Sequence, residues 1–354
     1  MNWIVSERQK AESRYNAGSK AREDVETVLC GEGFRPLAVC SGSARQNGMI
    51  RKLRNHIKAY REWSEGLKAA GNGDTVVIQY PVRNHTILMK KVMKELRNRQ
   101  IRTVAVIHDL ESLRLALVPD AGFLRKKRRV TEEIPALKQC SGIIVHNREM
   151  KGKMAALFGV SMERMTELEI FDYLTGPFEE KTSRRDMPVV IAGNLDKAKA
   201  GYVYHLPAEM DFTLYGANYS GTENKRIEYK GAVEPDELPA VLNGSFGLVW
   251  DGPEAATCAG VFGEYLKINN PHKLSLYLVS GIPVIVWRKS AMAAFVREQH
   301  CGVEVDSLEE ISGKVAEVTE TEYQAMLDSV RELGKKLSTG YYIKTAMNKV
   351  LQRR

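Results

Sequence analysis

The stretch of the chain with the clearest chemical meaning is the segment 269–287, NNPHKLSLYLVSGIPVIVW. Asn270 is a good helix N-cap, Pro271 suits the first helical position, and Lys273 falls in the first turn. A helix N-terminus offers unpaired N–H groups and the positive end of the helix dipole, to which the lysine adds a full charge. The pattern predicts a diphosphate site, and a plain N-cap with a solvated lysine is the alternative. The residues assigned to this site are Asn269, Asn270, His272 and Lys273.

A second cluster, AGNLDK at 192–197, follows a short apolar run directly. A turn of this kind between a strand and a helix lets backbone N–H groups approach a phosphate, and Lys197 lies in the first turn of the helix. We assign Gly193, Asn194 and Lys197 to the same anion site, although a generic turn would give the same pattern. Tyr229 ends a later strand, where an aromatic ring either stacks on a nucleobase or packs.

The first half of the chain supplies residues of a different kind. His108 and Asp109 end a predicted strand, with Glu111 just beyond. Inverting transfer to a hydroxyl needs one base within hydrogen-bond reach of that hydroxyl. Asp109 is the first candidate, followed by His108 and Glu111, and capping of the next helix is the alternative for Asp109. A second group opens the first helix and is assigned to the acceptor side: Asn16, Ala17, Gly18, Ser19 and Lys20.

Short apolar runs alternate with longer amphipathic ones, which is typical of βαβ units and a parallel sheet. Five strands are predicted in each half of the chain. Those of the first half are Trp3–Val5, Pro36–Cys40, Thr75–Gln79, Thr103–Ile107 and Gly142–Val145, and those of the second are Met187–Ala192, Asp211–Tyr215, Arg226–Tyr229, Phe246–Trp250 and Pro283–Trp287. Helices are predicted between these strands, one of them over 125–137, and from residue 308 to the end of the chain.

The expected architecture is α/β, with two Rossmann-like, doubly wound domains that face a cleft. The polar segment 171–185, interrupted by Gly176 and Pro177, is the predicted hinge. The predicted domains are then 1–172 and 173–338, the second of which contains the predicted diphosphate site, with a helix at 339–354 that packs back on the first domain. In such folds, ligands bind at the carboxyl ends of the strands.

Composition is that of an ordinary globular protein, with 44% hydrophobic and 27% charged residues among 354. No stretch reaches the ~20 apolar residues of a membrane helix, and the first ten residues lack a secretion-signal pattern, so we expect a cytoplasmic protein. Five scattered cysteines without a CxxC pair predict reduced thiols rather than a disulfide framework or a zinc site.

Charge is unevenly distributed along the chain. Residues 1–175 contain 31 Lys and Arg against 20 Asp and Glu, a net charge of +11, whereas residues 176–354 have a net charge of −3. Much of the excess lies in Arg51–Arg61 and in the RKKRR run at 125–129. Such a field attracts nucleic acid, anionic lipid or an anionic substrate, and a solvated face is the alternative. We expect the basic half to make a peripheral contact with the inner membrane face.

Several common site patterns are missing from the sequence. It has no GxxxxGK[ST], no GxGxxG after a strand, no HExxH and no DxD. A P-loop ATPase and a nicotinamide cofactor are therefore not predicted. Neither a metal nor any other cofactor is predicted.

With these residues in place, the chain resembles bacterial galactofuranosyltransferase-like enzymes and the streptococcal glucosyltransferases that extend glycans on serine-rich adhesins. The resemblance covers most of the chain, in six blocks that occur in order. They are NAGSKAREDV (16–25), VIHDLESLR (106–114), AGN (192–194), IEYKGAVEPDELPAVL (227–242), FGLVWDG (246–252) and NNPHKLSLYLVSGIPVIVW (269–287).

The resemblance implies a GT-B fold, a UDP-sugar donor held mainly by the second domain, and no required metal. It implies that Lys197 and Lys273 bind the diphosphate and that Tyr229 contacts the donor, and we add Asp251 from the FGLVWDG block to that site. The paired glutamates of many retaining GT-B enzymes are absent, since Ile268 and Leu276 stand at those positions. An inverting hexosyl transfer to a glycan, glycoprotein or lipid-linked acceptor is therefore expected.

Other functions are compatible with these patterns. A nucleotide-sugar 2-epimerase shares two facing Rossmann-like domains but needs several carboxylates and a histidine around one sugar. A glycerophosphate transferase and a non-catalytic partner of a transferase are further alternatives, and a homo-oligomer is left open. A nucleic-acid binder would explain the basic half, although no reading motif accompanies the RKKRR run.

Overall fold

A computed structural model of the chain describes residues 1–9, 17–41, 49–117, 132–177, 182–221 and 225–353. Contacts divide the chain into two compact units. The first unit comprises Met1–Ser13, Arg22–Leu168 and Ile343–Arg354, and the second comprises Arg14–Ala21 and Glu169–Tyr342. No helix among the described residues is both long enough and apolar enough to cross a membrane.

The first unit is built on six parallel strands. They are β1 (Asn2–Gln9), β2 (Arg35–Ser41), β3 (Thr75–Tyr80), β4 (Arg102–Ile107), β5 (Gly142–Val145) and β6 (Met165–Glu167). The helices between them are α1 (Ala17–Gly31), α2 (Met49–Gly66), α3 (Met89–Asn98), α4 (Glu111–Ala116), α5 (132–137) and α6 (Arg148–Phe158). The strand order is β2-β1-β3-β4-β5-β6. The order in which the strands are added therefore reverses between β1 and β3, which is the switch point of the sheet.

Burial explains why these segments form a parallel sheet. Every residue of β3 and β5 is buried, and five of the six residues of β4 are buried as well. Strands that are apolar on both faces need helices on both sides, which the βαβ connections provide. Helix α3 shows the complementary pattern, because it buries residues at helical spacing, namely Met89, Val92, Met93 and Leu96.

The second unit repeats this plan with a different strand order. Its strands are β7 (Val189–Ala192), β8 (Phe212–Tyr215), β9 (Ile227–Tyr229), β10 (Gly247–Val249), β11 (Val284–Trp287) and β12 (Gly302–Val305). Its helices are α7 (Lys197–Ala200), α8 (Leu238–Val241), α9 (Gly260–Tyr265), α10 (His272–Val279), α11 (Ala293–Glu298), α12 (Ile311–Glu317) and α13 (Glu320–Ser338), followed by α14 (Tyr341–Gln352). The order β12-β11-β10-β7-β8-β9 places the reversal between β7 and β10.

The last helix, α14, ends in the first unit. The Arg102 guanidinium donates hydrogen bonds to the backbone oxygens of Val350 and Leu351. A Cβ on Gly142 would lie 2.6 Å from the Val350 side chain, so glycine is needed where the helix crosses β5. The preceding helix α13 begins with a capping box between Thr319 and Glu322.

The ten predicted strands are confirmed, and two further strands, β6 and β12, were not predicted. β6 has only three residues, and β12 has three partly exposed residues out of four, so neither gives a strong apolar signal. Both lie at a sheet edge. The helix predicted from Leu308 is divided into a 3₁₀ turn, Leu308–Glu310, and α12. The helix predicted over 125–137 is described only from residue 132, and the RKKRR run lies outside the described residues.

Candidate functional site

The switch point of the second sheet is held open by one tyrosine. β10 pairs with β7 at a single register position, Gly247 opposite Val190, and the two strands then diverge. The buried Tyr277 hydroxyl fills the gap: it accepts a hydrogen bond from Ala192 N at 2.7 Å and lies 3.3 Å from Leu248 O. A Cβ at position 247 would lie 2.1 Å from the Tyr277 ring, so only glycine leaves room for it. Sequence reasoning missed Tyr277, which looks like an ordinary core residue of α10.

Lys273 lies at the carboxyl end of β10. Its Nζ is 2.8 Å from Trp250 O and 2.9 Å from the Asp251 carboxylate, and both side chains of this ion pair are mostly buried. The sequence predicted that a first-turn lysine requires an anion, and within the protein Asp251 supplies it. The pair fixes the ammonium group at the edge of the crevice where open α/β sheets bind their ligands.

The start of α10 differs from the predicted one. Pro271, not Asn270, occupies the N-cap, and no side chain caps the helix there. The prediction that Asn270 is the N-cap is therefore wrong, because its amide instead donates a hydrogen bond to Glu169 O at 3.0 Å. Asn269 Oδ1 is buried without a hydrogen-bond partner. With no side chain capping it, the N-terminus of α10 leaves backbone N–H groups for a ligand.

His272 is the first residue of α10, and its imidazole is stacked on the Tyr173 ring with centroids 4.8 Å apart. Its Nε2 is buried without a hydrogen-bond partner. Burial lowers the pKa of His272 to about 4, the Lys20 charge lowers it further, and a backbone hydrogen bond with Asp172 acts in the opposite direction. The ring is therefore neutral at pH 7.

At the carboxyl end of β7, the backbone leaves space. Gly193 has φ 141°, and a Cβ built there would meet no atom within 4 Å. Gly216, after β8, packs so closely that a Cβ would lie 1.7 Å from Gly193 O. The exposed Asn194 side chain accepts hydrogen bonds from Asp196 N and from the Asn218 amide. This turn thus leaves space at the Gly193 Cα, while the Gly193 and Leu195 N–H groups donate to Tyr215 O and Ala217 O.

Lys197 belongs to a row of aromatic side chains. Its Nζ lies 4.8 Å from the centroid of the Tyr204 ring, which stacks on Tyr219 with centroids 5.6 Å apart. Tyr219 in turn lies 5.0 Å from Tyr229, whose hydroxyl donates to Gly216 O. The structure therefore brings Lys197 and Tyr229 into one surface cluster, linked by two tyrosines that the sequence did not single out.

Lys20 lies in the second unit, although the sequence placed it in the first domain on the acceptor side. Its buried Nζ donates to Leu174 O at 2.7 Å and pairs with Asp236 at 2.8 Å. Ser19 is partly exposed. Asn16 lies outside the described residues, as do the side chains of Ala17 and Gly18.

The candidate base in the first unit is held by an ion pair. Asp109 follows β4, its carboxylate pairs with the Arg114 guanidinium, and it accepts a hydrogen bond from Leu110 N at 2.7 Å. Leu110, not Asp109, is the N-cap of α4, and Glu111 is the first residue of that helix. Pairing with an arginine favours the ionised carboxylate, which is the form that a base requires.

His108 is fixed by a neighbouring strand. Its Nε2 donates to Gln79 Oε1 across 2.6 Å, because an amide oxygen can only accept, and the Gln79 amide donates to Arg22 O. Behind it, His146 hydrogen-bonds Ile107 O, and burial lowers the pKa of His146 to about 3. His108 is thereby a positioned hydrogen-bond donor, and neither Gln79 nor His146 was predicted.

The switch point of the first sheet is occupied by a buried ion pair. Glu7, near the carboxyl end of β1, lies 3.6 Å from Arg22 and accepts hydrogen bonds from Arg83 N and Asn84 N. Burial raises the pKa of Glu7 in spite of these partners. Arg22 also donates to Pro81 O. Nothing in the sequence marked this pair as special.

No three residues of the His, Cys, Asp and Glu types come together as a metal site in the described part of the chain. What the second unit offers is a lysine at a switch point, an uncapped helix N-terminus and an open glycine turn. These are the elements that bind phosphate groups in doubly wound folds.

Comparison with known proteins gives the family of the chain. Two models of the Glucosyltransferase 3-like family match, the N-terminal domain over residues 1–170 and the C-terminal domain over residues 189–350. The chain is 30% identical over 344 residues to beta-1,6-galactofuranosyltransferase WbbI of Escherichia coli (strain K12), with 96% of each chain covered. It is 28% identical over 292 residues to glucosyltransferase 3 of Streptococcus gordonii, with 80% of this chain and 81% of that protein covered.

Solved structures show the same fold. A sucrose-phosphate synthase from Thermosynechococcus elongatus has a TM-score of 0.65 at 12% identity, covering 99% of this chain and 98% of that one. The apo form of lipopolysaccharide outer core galactosyltransferase WaaB has a TM-score of 0.59 at 11% identity, with both chains fully covered at 100%. The two-domain α/β GT-B fold and the family resemblance are thus confirmed. The chain belongs to the Glucosyltransferase 3-like family and is a glycosyltransferase.

Proposed function

We propose that the protein transfers a hexosyl group, galactofuranosyl or glucosyl, from a UDP-sugar to a hydroxyl group of an acceptor glycan. The acceptor is a glycan, glycoprotein or lipid-linked glycan in the synthesis of a cell-surface polysaccharide or glycoconjugate. The observation that carries the proposal is Lys273, held at the switch point of the second sheet by Trp250 O and Asp251. The names of the relatives, a galactofuranosyltransferase and a glucosyltransferase, support the hexosyl group.

The donor binds to the second unit. Its diphosphate lies at the N-terminus of α10, where backbone N–H groups and Lys273 neutralise the charge, and approaches the open turn at Gly193. Lys197 adds a second cation from the exposed side. The exposed Tyr229 and its neighbour Tyr219 offer ring faces for the uracil.

Transfer inverts the configuration at the sugar. The acceptor hydroxyl attacks the anomeric carbon, the bond from that carbon to the diphosphate oxygen breaks, and the hydroxyl proton passes to the Asp109 carboxylate. UDP leaves with the electron pair of the broken bond, and Lys273 stabilises the charge that develops on it. In this scheme Arg114 positions Asp109 through their ion pair.

The reaction needs no metal ion in this proposal. Lys273 and Lys197 supply positive charge where other transferases use a divalent cation, and the sequence has no DxD pattern. We place the reaction in the cytoplasm. The described cysteines Cys30, Cys140, Cys258 and Cys301 are free thiols, which suits a reducing compartment.

A calorimetric titration with UDP, with and without EDTA, tests the proposal together with a transfer assay. UDP should bind equally well in EDTA, and a ligand at a hundred times its Kd should stabilise the protein by ~2.7 kcal/mol in a thermal-shift panel of nucleotide sugars. Loss of binding in EDTA would contradict the metal-free mechanism. Formation of a 2-epimer of UDP-N-acetylglucosamine without an acceptor would identify an epimerase instead.

A further inference from the structure

One face of helix α2 exposes apolar and basic side chains together. Leu53 is 54% exposed and Ile57 is 39% exposed, one helical turn apart. Arg54, Lys58 and Arg61 are exposed on the adjoining surface of the same helix. The helix contains five basic and two acidic residues. We name the surface formed by Leu53, Arg54, Ile57, Lys58 and Arg61 the α2 face.

The opposite side of α2 is the one that the fold uses. Ala59 and Trp63 are buried, and the Trp63 indole donates a hydrogen bond to Asn84 O at 2.9 Å. Because the packing of α2 is already satisfied on that side, the α2 face is not required for the core. Leu53 and Ile57 therefore remain exposed to solvent in the described structure.

The α2 face lies near the carboxyl end of the first sheet. The segment after β3 runs along α2, where the Thr86 hydroxyl donates to His56 O and the Asn84 amide donates to Glu62. Ile87, next to Thr86, is also 42% exposed. The segment that leaves β3 thus carries a further exposed apolar side chain next to its contact with α2, on the side of the sheet where Asp109 ends β4.

Charge indicates the partner. Within the described residues, neither Arg54 nor Arg61 is paired with an acidic side chain, and the exposed Lys58 lies 3.7 Å from Glu62. A basic helix with exposed leucine and isoleucine is the combination that binds an anionic bilayer, since the cations attract the head groups and the apolar side chains enter the interface. Nucleic acid would engage the cations but leave Leu53 and Ile57 in water.

We propose that the α2 face docks the enzyme on an anionic lipid bilayer, with Leu53 and Ile57 inserted among the head groups. The docking goes beyond the proposed transfer reaction and does not depend on it. It would hold the carboxyl edge of the first sheet close to a membrane surface, where a lipid-linked acceptor resides.

Co-sedimentation of the full chain with vesicles tests the docking. The protein should bind vesicles of phosphatidylcholine with phosphatidylglycerol at low salt and should not bind phosphatidylcholine alone. Raising the salt from 0.1 M to 1 M shortens the Debye length from about 10 Å to about 3 Å and should release it. Equal binding to neutral vesicles, or no binding to anionic vesicles at low salt, would overturn the proposal.

Charge variants locate the surface. Arg54→Gln, Lys58→Gln and Arg61→Gln together should weaken vesicle binding about 100-fold, because each basic residue near the surface is worth about fivefold. The matched control removes the same charge from α3, by Lys90→Gln, Lys94→Gln and Arg97→Gln, and should have a much smaller effect. If both triple variants bind equally, the α2 face is not the docking surface.

Apolar variants separate insertion from simple electrostatic attraction. Leu53→Asn with Ile57→Asn should weaken binding about tenfold, since both apolar side chains leave the interface. The control pair is Leu157→Asn with Met162→Asn, which are 50% and 52% exposed elsewhere in the first unit and should leave binding unchanged. Unaltered binding in the α2 pair would contradict insertion.

A fluorescence readout makes the test independent of sedimentation. Ile57→Trp places an indole on the α2 face, and its emission should shift to the blue when anionic vesicles are added. Met162→Trp provides an exposed indole that should not respond. A salt-sensitive complex with random DNA, equally strong in the Leu53→Asn, Ile57→Asn variant and without any blue shift on vesicles, would show that the partner is nucleic acid and overturn the proposal.

Discussion

At the switch point of the second sheet, the Lys273 ammonium group lies at the carboxyl end of β10, and a Cβ at Gly193, just after β7, would meet no atom within 4 Å. At the switch point of the first sheet, the corresponding position is filled. Glu7 and Arg22 are both buried there, and their hydrogen bonds tie down the segment after β3. Both sheets are parallel and six-stranded, and in both the strand order reverses beside the first strand, so the switch point alone does not distinguish their functions.

The difference teaches that net charge alone does not decide which switch point holds an available cation. The basic half of the chain, with a net charge of +11, closes its switch point with an internal ion pair and carries its candidate base one strand further along, at Asp109. The other half has a net charge of −3, yet it holds Lys273 at the carboxyl end of β10. The excess charge of the first half instead appears on outer surfaces such as the α2 face.

The largest expected effect concerns the base of the first unit. Asp109→Asn should cut turnover about 10²–10⁴-fold, the usual contribution of a general base, because the amide cannot take the hydroxyl proton. UDP affinity should stay near that of the wild type, since the proposed donor site belongs to the other unit. Steady-state kinetics and UDP calorimetry on the same variant measure both. Glu111→Gln is the matched control, and near-normal turnover in Asp109→Asn would move the assignment to Glu111.

Removing the lysine of the second unit should lower UDP affinity, the quantity that the Asp109 variant leaves unchanged. Lys273→Ala should weaken UDP binding by roughly 1.5–3 kcal/mol, the range for a hydrogen bond to a charged group. Lys267→Ala removes an equal charge from a lysine paired with Glu264 in the same unit and should leave UDP affinity unchanged. The melting temperature without ligand checks that the fold survives the loss of the Asp251 partner. Unchanged UDP affinity in the Lys273 variant would mean that this pair is only structural.

The strands of both sheets and the lysine of the second unit could be predicted from the sequence. The partners of the site residues could not, for a physical reason. Apolar runs identified ten strands, and the segment around Lys273 identified a helix start at a strand edge. The resemblance assigned Asp251 to the same site, but its ion pair with Lys273 could not be predicted, because the two residues are 22 positions apart and meet only where α10 packs against β10. Lys20 was placed with the wrong unit for the same reason, since its neighbours Leu174 and Asp236 are distant in sequence.

The divergence of β7 and β10 depends on one hydroxyl, which makes a prediction about stability. Tyr277→Phe should lower the free energy of unfolding by about 1–3 kcal/mol, because Ala192 N is left buried without an acceptor. Urea denaturation measures the change. Tyr341→Phe, on a side chain that is 46% exposed, should change stability by less than about 0.5 kcal/mol. Equal stability of Tyr277→Phe and the wild type would show that the gap closes without the hydroxyl.

The next prediction concerns how His272, in the second unit, makes the stability of the fold depend on pH. The folded pKa of His272 is lowered to about 4 from 6.5, so the unfolded chain binds its proton first and stability falls as the pH drops from 6.5 towards 4. His272→Phe keeps a ring against Tyr173 and should remove ~1–2 kcal/mol of the loss between pH 7 and 5. His146 shifts in the same direction and stays in the variant, so the difference reports His272 alone. Parallel stability curves for the two proteins would contradict this assignment.

The smallest effect is expected at Lys197. Its side chain is exposed and rests on the Tyr204 ring, so solvent screens whatever contact it makes with a diphosphate, unlike the buried Lys273. Lys197→Ala should weaken UDP binding only about two- to fivefold, the value of an exposed ion pair, and the loss should shrink further at high salt. Lys197→Arg should restore the affinity, because either cation can pair with the phosphate and lie over the ring. A loss as large as that of Lys273→Ala, unaffected by salt, would mean that the diphosphate is bound mainly through the turn after β7 and that the contrast between the two lysines is wrong.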